Sequence, residues 1–187
     1  MHWAQWEATG YTSRPASDAA QRGTHPTTDR SEPMQTTLIF LKPDAVQRGL
    51  MGKILQRFED KGLSFVGIKL VQVSETIAKQ HYAEHAERPF FPGLLKFVTS
   101  SPVLACAIQG PNAVAVCRNL IGATNGQKAD PGTIRGDFGM SGANNLVHGS
   151  DSPESAEREL ALWFNEDELT GFKKTANEWI YDPSDLD

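Results

Sequence analysis

Residues 37–49 read TLIFLKPDAVQRG. Thr37–Leu41 is a short apolar run ended by a lysine and a proline, which predicts a buried strand. What comes after that strand decides between families of α/β architecture. A Rossmann or Walker mode of nucleotide binding needs a glycine-rich turn directly after the first strand. Lys42-Pro43-Asp44 stands there instead, so neither mode is open to this chain.

Further along, the hydrophobic spacing switches repeatedly between two periods. Leu50, Ile54, Leu55 and Phe58 recur at helical spacing over Gly49–Lys61, with Gly62 as the stop. Leu63–Val73 alternates as a strand. Ser74 caps a helix running through His85, and a second helical piece covers Pro92–Ser100. Val103–Ile108 is another strand, and Gly110-Pro111 leads to a helix ending near Leu120. Residues 122–144 form a loop rich in Gly, Asn, Asp and Pro, too long for a plain connection. Leu146–His148 is a strand end, and Ser152, Pro153 and Glu154 open a helix over 153–164 as cap, first-position proline and first-turn acid. A tail closes on Trp-Ile-Tyr at 179–181. The order strand–helix–strand–strand–helix–strand predicts a split βαβ sandwich, an antiparallel sheet with helices on one face.

At 187 residues the chain suits one domain plus a modest appendage. Residues 1–33 show no sustained hydrophobic period and are expected to be a flexible extension, with the structured domain over 34–187. The acids Glu7, Asp18, Asp29 and Glu32 speak against a targeting peptide, and Met34 is an alternative start. No apolar run approaches a membrane span, and the expected compartment is the cytoplasm. A net charge of −5 provides no global basic field, which counts against nucleic-acid binding. Phosphate chemistry would need cations gathered locally. Cys106 and Cys117 sit in apolar surroundings without CxxC or Cys/His spacing, so they are expected to be buried structural thiols.

Several residues carry possible chemistry. His148 lies where the apolar Leu146-Val147 pair meets the turn Gly149-Ser150-Asp151. A loop histidine alone is most often solvated or simply hydrogen-bonded. Lys42 leaves the first strand in a direction that Pro43 fixes, although a strand-end lysine is commonly just solvated. Arg118 lies in an apolar helix, and Arg135 sits in PGTIRGDFG, where its fork could meet phosphate oxygens or pair locally with Asp137. The RPFF segment at 88–91 offers a ring that could stack on a base without distinguishing which base it is. With Thr124 from the long loop, these groups could surround a nucleotide, His148 at its phosphate end. Neutral imidazole can attack phosphorus without first losing a proton, and Glu159 could accept the other ring N–H.

The stretch NNLVHGSDSPESAERE at 144–159 resembles the active-site signature of nucleoside diphosphate kinases, in which N-x-x-H-G-S-D is highly specific. The similarity extends over residues 36–181, through LKPDAVQRG, GKILQRFEDKG, HYAEHAERPFFPGL, PGTIRGDFG and WIY. It implies a ferredoxin-like α+β sandwich and a ping-pong transfer of the γ-phosphate, mainly from ATP, to nucleoside diphosphates. By the resemblance His148 is phosphorylated on Nδ1, with Glu159 and Ser150 holding and polarising it. Lys42, Tyr82, Arg118, Thr124, Arg135 and Asn145 match nucleotide contacts, Phe90 matches the ring under the base, and Leu94 lies beside it. Mg²⁺ would be carried mainly by nucleotide phosphates and water, with Asp151 nearby. A homo-oligomer is implied too, a hexamer from the segment reaching WIY, with a tetramer as the alternative.

The chain departs from the usual pattern in two places. GATNGQKADPG at 122–132 lacks the Glu before Thr and the Pro after Asn of many relatives, and MSGANN at 140–145 replaces an ending in Gly-Arg-Asn. These bear on subunit contacts and on the edge of the nucleotide pocket. Two other functions compete with this reading. A catalytically silent scaffold would have lost the histidine or an arginine, and none is lost. An RNA-binding sheet would carry a basic aromatic motif, which the acidic balance and the sequence lack.

Overall fold

Strand β1 (Met34–Leu41) leads into two short helices, α1 (Pro43–Gln47) and α2 (Met51–Asp60), and then into β2 (Ser64–Val71). Helices α3 (Glu75–His81) and α4 (Phe91–Val98) come before β3 (Val103–Pro111). They are followed by α5 (Ala113–Ile121), α6 (Ile134–Phe138), β4 (Val147–Gly149), α7 (Pro153–Trp163) and a last turn, α8 (Asn177–Ile180). The structure is a computed structural model that describes residues 34–183, so the extension expected over 1–33 lies outside the described residues.

The four strands form one sheet in the order β2-β3-β1-β4, with every neighbouring pair antiparallel. Strand β3 lies between β1 and β2, as the split βαβ order requires. Register along β1 runs from Met34 opposite Pro111 to Leu41 opposite Leu104, and on the other side Phe40 faces His148.

The expectation of helices on one face is corrected. Ile39 and Leu41 point into a core with Ile54 and Phe58 of α2 and with Ala113, Cys117 and Ile121 of α5. Leu38 and Phe40 point the other way, to Ala78 of α3, Val98 of α4 and Trp163 of α7. Both faces are therefore covered. The unbroken apolar run of β1 was the sign of this, because a half-exposed strand would have alternated with polar residues. Cys106 and Cys117 are free and buried, and burial pushes both thiols up to about 12.

Other boundaries moved as well. The helix expected from Gly49 starts at Met51 and is preceded by α1, whose first position is Pro43. Strand β3 runs on into Gly110-Pro111 because β1 pairs with it as far as Met34. The long loop at 122–144 contains α6, capped by the Thr133 hydroxyl, which accepts from Gly136 N–H at 3.0 Å. Among the described residues no helix is long and apolar enough to cross a membrane.

Candidate active site

The chain enters β4 through a residue in an unfavourable conformation. Leu146 has a φ of 70°, in the left-handed region that bulky side chains avoid. Its N–H donates to Asp44 Oδ2 at 3.1 Å, and its carbonyl accepts from Lys42 N–H at 2.8 Å. The Lys42-Pro43-Asp44 corner thus grips Leu146 on both sides, and the buried leucine side chain completes the hold. Lys42, Asn145 and His148 acquire fixed relative positions. Lys42 Nζ donates to Asn145 Oδ1 at 2.7 Å, and the Asn145 amide reaches the carbonyls of Thr124 (3.1 Å) and Gly142 (2.9 Å).

His148 lies between a carboxylate and an aromatic wall. Its Nε2 is 2.8 Å from Glu159 Oε2, which also accepts from Ser150 Oγ at 2.8 Å. A carboxylate only accepts, so the ring proton belongs on Nε2 and the lone pair on Nδ1. Phe40 stacks on the imidazole at 4.9 Å between centroids, and His81 stands edge-on to it at 4.4 Å. Burial, then Lys42, Arg118 and Arg135, hold the His148 pKa down to about 3, so the ring is neutral near pH 7. Burial raises the Glu159 carboxyl, while the Ser150 hydrogen bond pulls it back.

The cations around this ring differ in freedom. Lys42 is buried, and burial with the neighbouring Arg135 lowers its amine to about 8. Arg118 donates to the Gly149 carbonyl at 3.4 Å. Arg135 is held by three carbonyls, those of Asn145 (3.0 Å), Gly122 (3.1 Å) and Val147 (2.6 Å). Its guanidinium therefore also staples the loop to β4. The local pair expected as an alternative, Arg135 with Asp137, does not form. Asp137 pairs with Arg57 of α2 at 2.7 Å and accepts from Gly132 N–H at 2.8 Å.

Tyr82, buried, stands edge-on to His148 at 6.3 Å. Phe90 and Leu94 lie apart from the histidine. Phe90 is exposed and Leu94 packs partly buried against the second core. Asp151 is exposed at the start of α7, ionised readily because of a hydrogen bond with Ser155. Phe40, His81 and Trp163 escaped the sequence reading. Trp163 Nε1 donates to His81 Nδ1 at 3.2 Å, which leaves the proton of neutral His81 on Nε2. One signal was available: Glu159 and Trp163 are four residues apart and share a helix face.

His81, His148 and Glu159 place ligand-type atoms within 4.8 Å of one another. The trio fits Mg²⁺ poorly, since that ion prefers six oxygens, and here Glu159 Oε2 and His81 Nδ1 already hold hydrogen bonds.

A neutral imidazole with one nitrogen outside its hydrogen bond to Glu159, in the field of a lysine and two arginines on an antiparallel α+β sandwich, has the chemistry that nucleophilic attack on a phosphate needs. Comparison with known proteins places the chain in a family. The family model for nucleoside diphosphate kinase matches residues 35–169. The chain is 58% identical over 149 residues to a nucleoside diphosphate kinase of Synechococcus sp., covering 80% of this chain and 100% of the relative. It is 54% identical to that of Methanobrevibacter smithii, with 80% and 99% covered. A solved halophilic nucleoside diphosphate kinase from Halobacterium salinarum, in complex with CDP, superposes with a TM-score of 0.79 at 47% identity, covering 80% of this chain and all of that one. A nucleoside diphosphate kinase family protein from Babesia bovis gives 0.76 at 44% identity, with 79% and 99% covered. The chain belongs to the nucleoside diphosphate kinase family.

Proposed function

We propose that the chain moves the γ-phosphoryl group of a nucleoside triphosphate, mainly ATP, to nucleoside diphosphates in two half-reactions through His148, supplying GTP, CTP, UTP and their deoxy equivalents. The observation carrying this is the 2.8 Å contact between His148 Nε2 and Glu159 Oε2, which leaves Nδ1 free among three cations. In the first half-reaction the Nδ1 lone pair attacks the γ-phosphorus, the bond to the bridging oxygen breaks, and the diphosphate leaves with that electron pair. A second diphosphate then attacks the phosphohistidine and restores the neutral ring. Glu159 balances the charge gained by the imidazole, and Ser150 orients Glu159. Lys42, Arg118 and Arg135 offset charge on the transferring group, with Tyr82 beside it. Lys42 and Asn145 contact the sugar hydroxyl and phosphates, Thr124 adds a further nucleotide contact, and Phe90 stacks on the base with Leu94 adjacent.

Mg²⁺ carried on the nucleotide phosphates would neutralise part of their charge, with Asp151 as the side chain that could hold it through water. The reading extends to a cytoplasmic homo-oligomer, a hexamer with a tetramer as the alternative, in which residues 34–187 form the kinase domain and 1–33 an appendage. The edge of β2, unpaired among the described residues and with Ile68 and Leu70 exposed, supports association.

The test is transfer of labelled γ-phosphate from ATP to the protein alone, followed by a GDP chase, with His148→Ala alongside. The expected adduct is acid-labile and alkali-stable, disappears with GDP and never forms on the variant. Folded protein that takes up no label would instead be a silent relative.

A further inference from the structure

We infer that His85 is a positioning residue for the nucleobase end of the site, its imidazole holding the Phe90 ring at a set tilt and joining it to Tyr82. The inference rests on the kinase reading above, in which Phe90 receives the base.

Phe90 precedes α4 and is 55% exposed, so its own packing does little to fix its ring. Among the described residues its one aromatic partner is His85, at 5.6 Å between centroids and 61° between planes. His85 in turn lies nearly parallel to Tyr82, at 6.2 Å and 24°. Tyr82 stands edge-on to His148. Four rings therefore step from the buried nucleophile out to the exposed phenylalanine.

The backbone explains the row. His85 N–H donates to Tyr82 O at 2.9 Å, Arg88 N–H to His85 O at 2.9 Å, and Phe91 N–H to Arg88 O at 3.0 Å. Three-residue spacing in a 3₁₀ turn (Ala83–His85) brings side chains i and i+3 into line, which lays His85 over Tyr82. Leu94 N–H then closes on Phe90 O at 3.0 Å and ties the platform into α4. A ring held in place beforehand loses less freedom when a base stacks on it. Stacking does not depend on which base is present, so the benefit should be equal for all of them. The ordinary alternative is a surface histidine facing Glu84, whose carboxylate lies 3.7 Å from Nε2.

The experiment compares His85→Ala and His85→Phe in the wild-type and Phe90→Ala backgrounds. His85→Ala should raise KM for ADP, GDP, CDP and UDP alike by about fivefold, a typical worth for an aromatic pair. Turnover and labelling at saturating ATP should stay unchanged, and His85→Phe should restore KM. In the Phe90→Ala background His85→Ala should add nothing. An unmoved KM, the same rise without Phe90, or a fall in turnover alone would each overturn the inference. A wild type that forms no phosphohistidine would sink the kinase reading separately. The same double-mutant cycle on calorimetric ADP affinity would then still decide whether His85 and Phe90 act together.

Discussion

Lys42 carries its charge under strain. Burial and Arg135 lower its amine to about 8, so the ammonium is present below that pH and lost as pH rises through it. His148 stays neutral down to about 3 and so imposes no acid limit in the ordinary range. The pH profile of kcat/KM, which reports the free enzyme, is therefore expected to be level from about pH 5 to 7.5 and to fall above about 8. Turnover at saturating nucleotide should persist to higher pH, because bound phosphates favour the charged amine. A kcat/KM profile level to pH 10 would assign phosphate attraction to the arginines alone. At this scale most of the site was legible: His148, Glu159 and Ser150 meet within 2.8 Å as the motif implied. Phe40, His81 and Trp163 were not, because contacts among three separate elements leave no local pattern to read.

Helix α6 shows what local sequence hides. TIRGDF has a glycine in its middle, which lowers helical propensity, so the whole segment read as loop. The glycine is needed by the packing, since a Cβ on Gly136 would collide with the Asp130 carbonyl. Gly126 is equally confined, lying against the Gly139 backbone. Gly126→Ala is expected to destabilise the protein by about 1–3 kcal/mol through overpacking, measured by urea unfolding. Stability within about 0.3 kcal/mol of wild type would mean that the loop yields freely. From outside, Arg57 grips the same segment through Asp137 and the Gly132 carbonyl, while Arg48 donates to Phe138 O at 2.8 Å. Neither arginine announced this in sequence, because their partners lie 75 or more residues away. The major strands were legible to within a few residues, since hydrophobic period survives where propensity is ambiguous.

Taken whole, the molecule places His148 and the β2 border at opposite edges of the sheet. His148 is on β4 at one edge, and β2 forms the other. Exposed Ile68 and Leu70 mark the β2 border as a candidate for pairing between copies. Ile68→Lys with Leu70→Lys is expected to shift the proposed hexamer to smaller species by light scattering while leaving the circular dichroism spectrum intact. An unchanged mass would move the contact elsewhere, and a wild-type monomer at micromolar concentration would overturn the assembly. Phe40 has a wider consequence. It is buried, stacks on Trp163 at 4.8 Å to close one core, and on its other side forms the wall behind His148. Selection that merely keeps the chain foldable therefore also guards the surroundings of His148. Heritable drift should erode the exposed Phe90 ring long before it reaches the imidazole, and, on the proposed role of that ring, descendants would vary first in how tightly they hold a nucleotide.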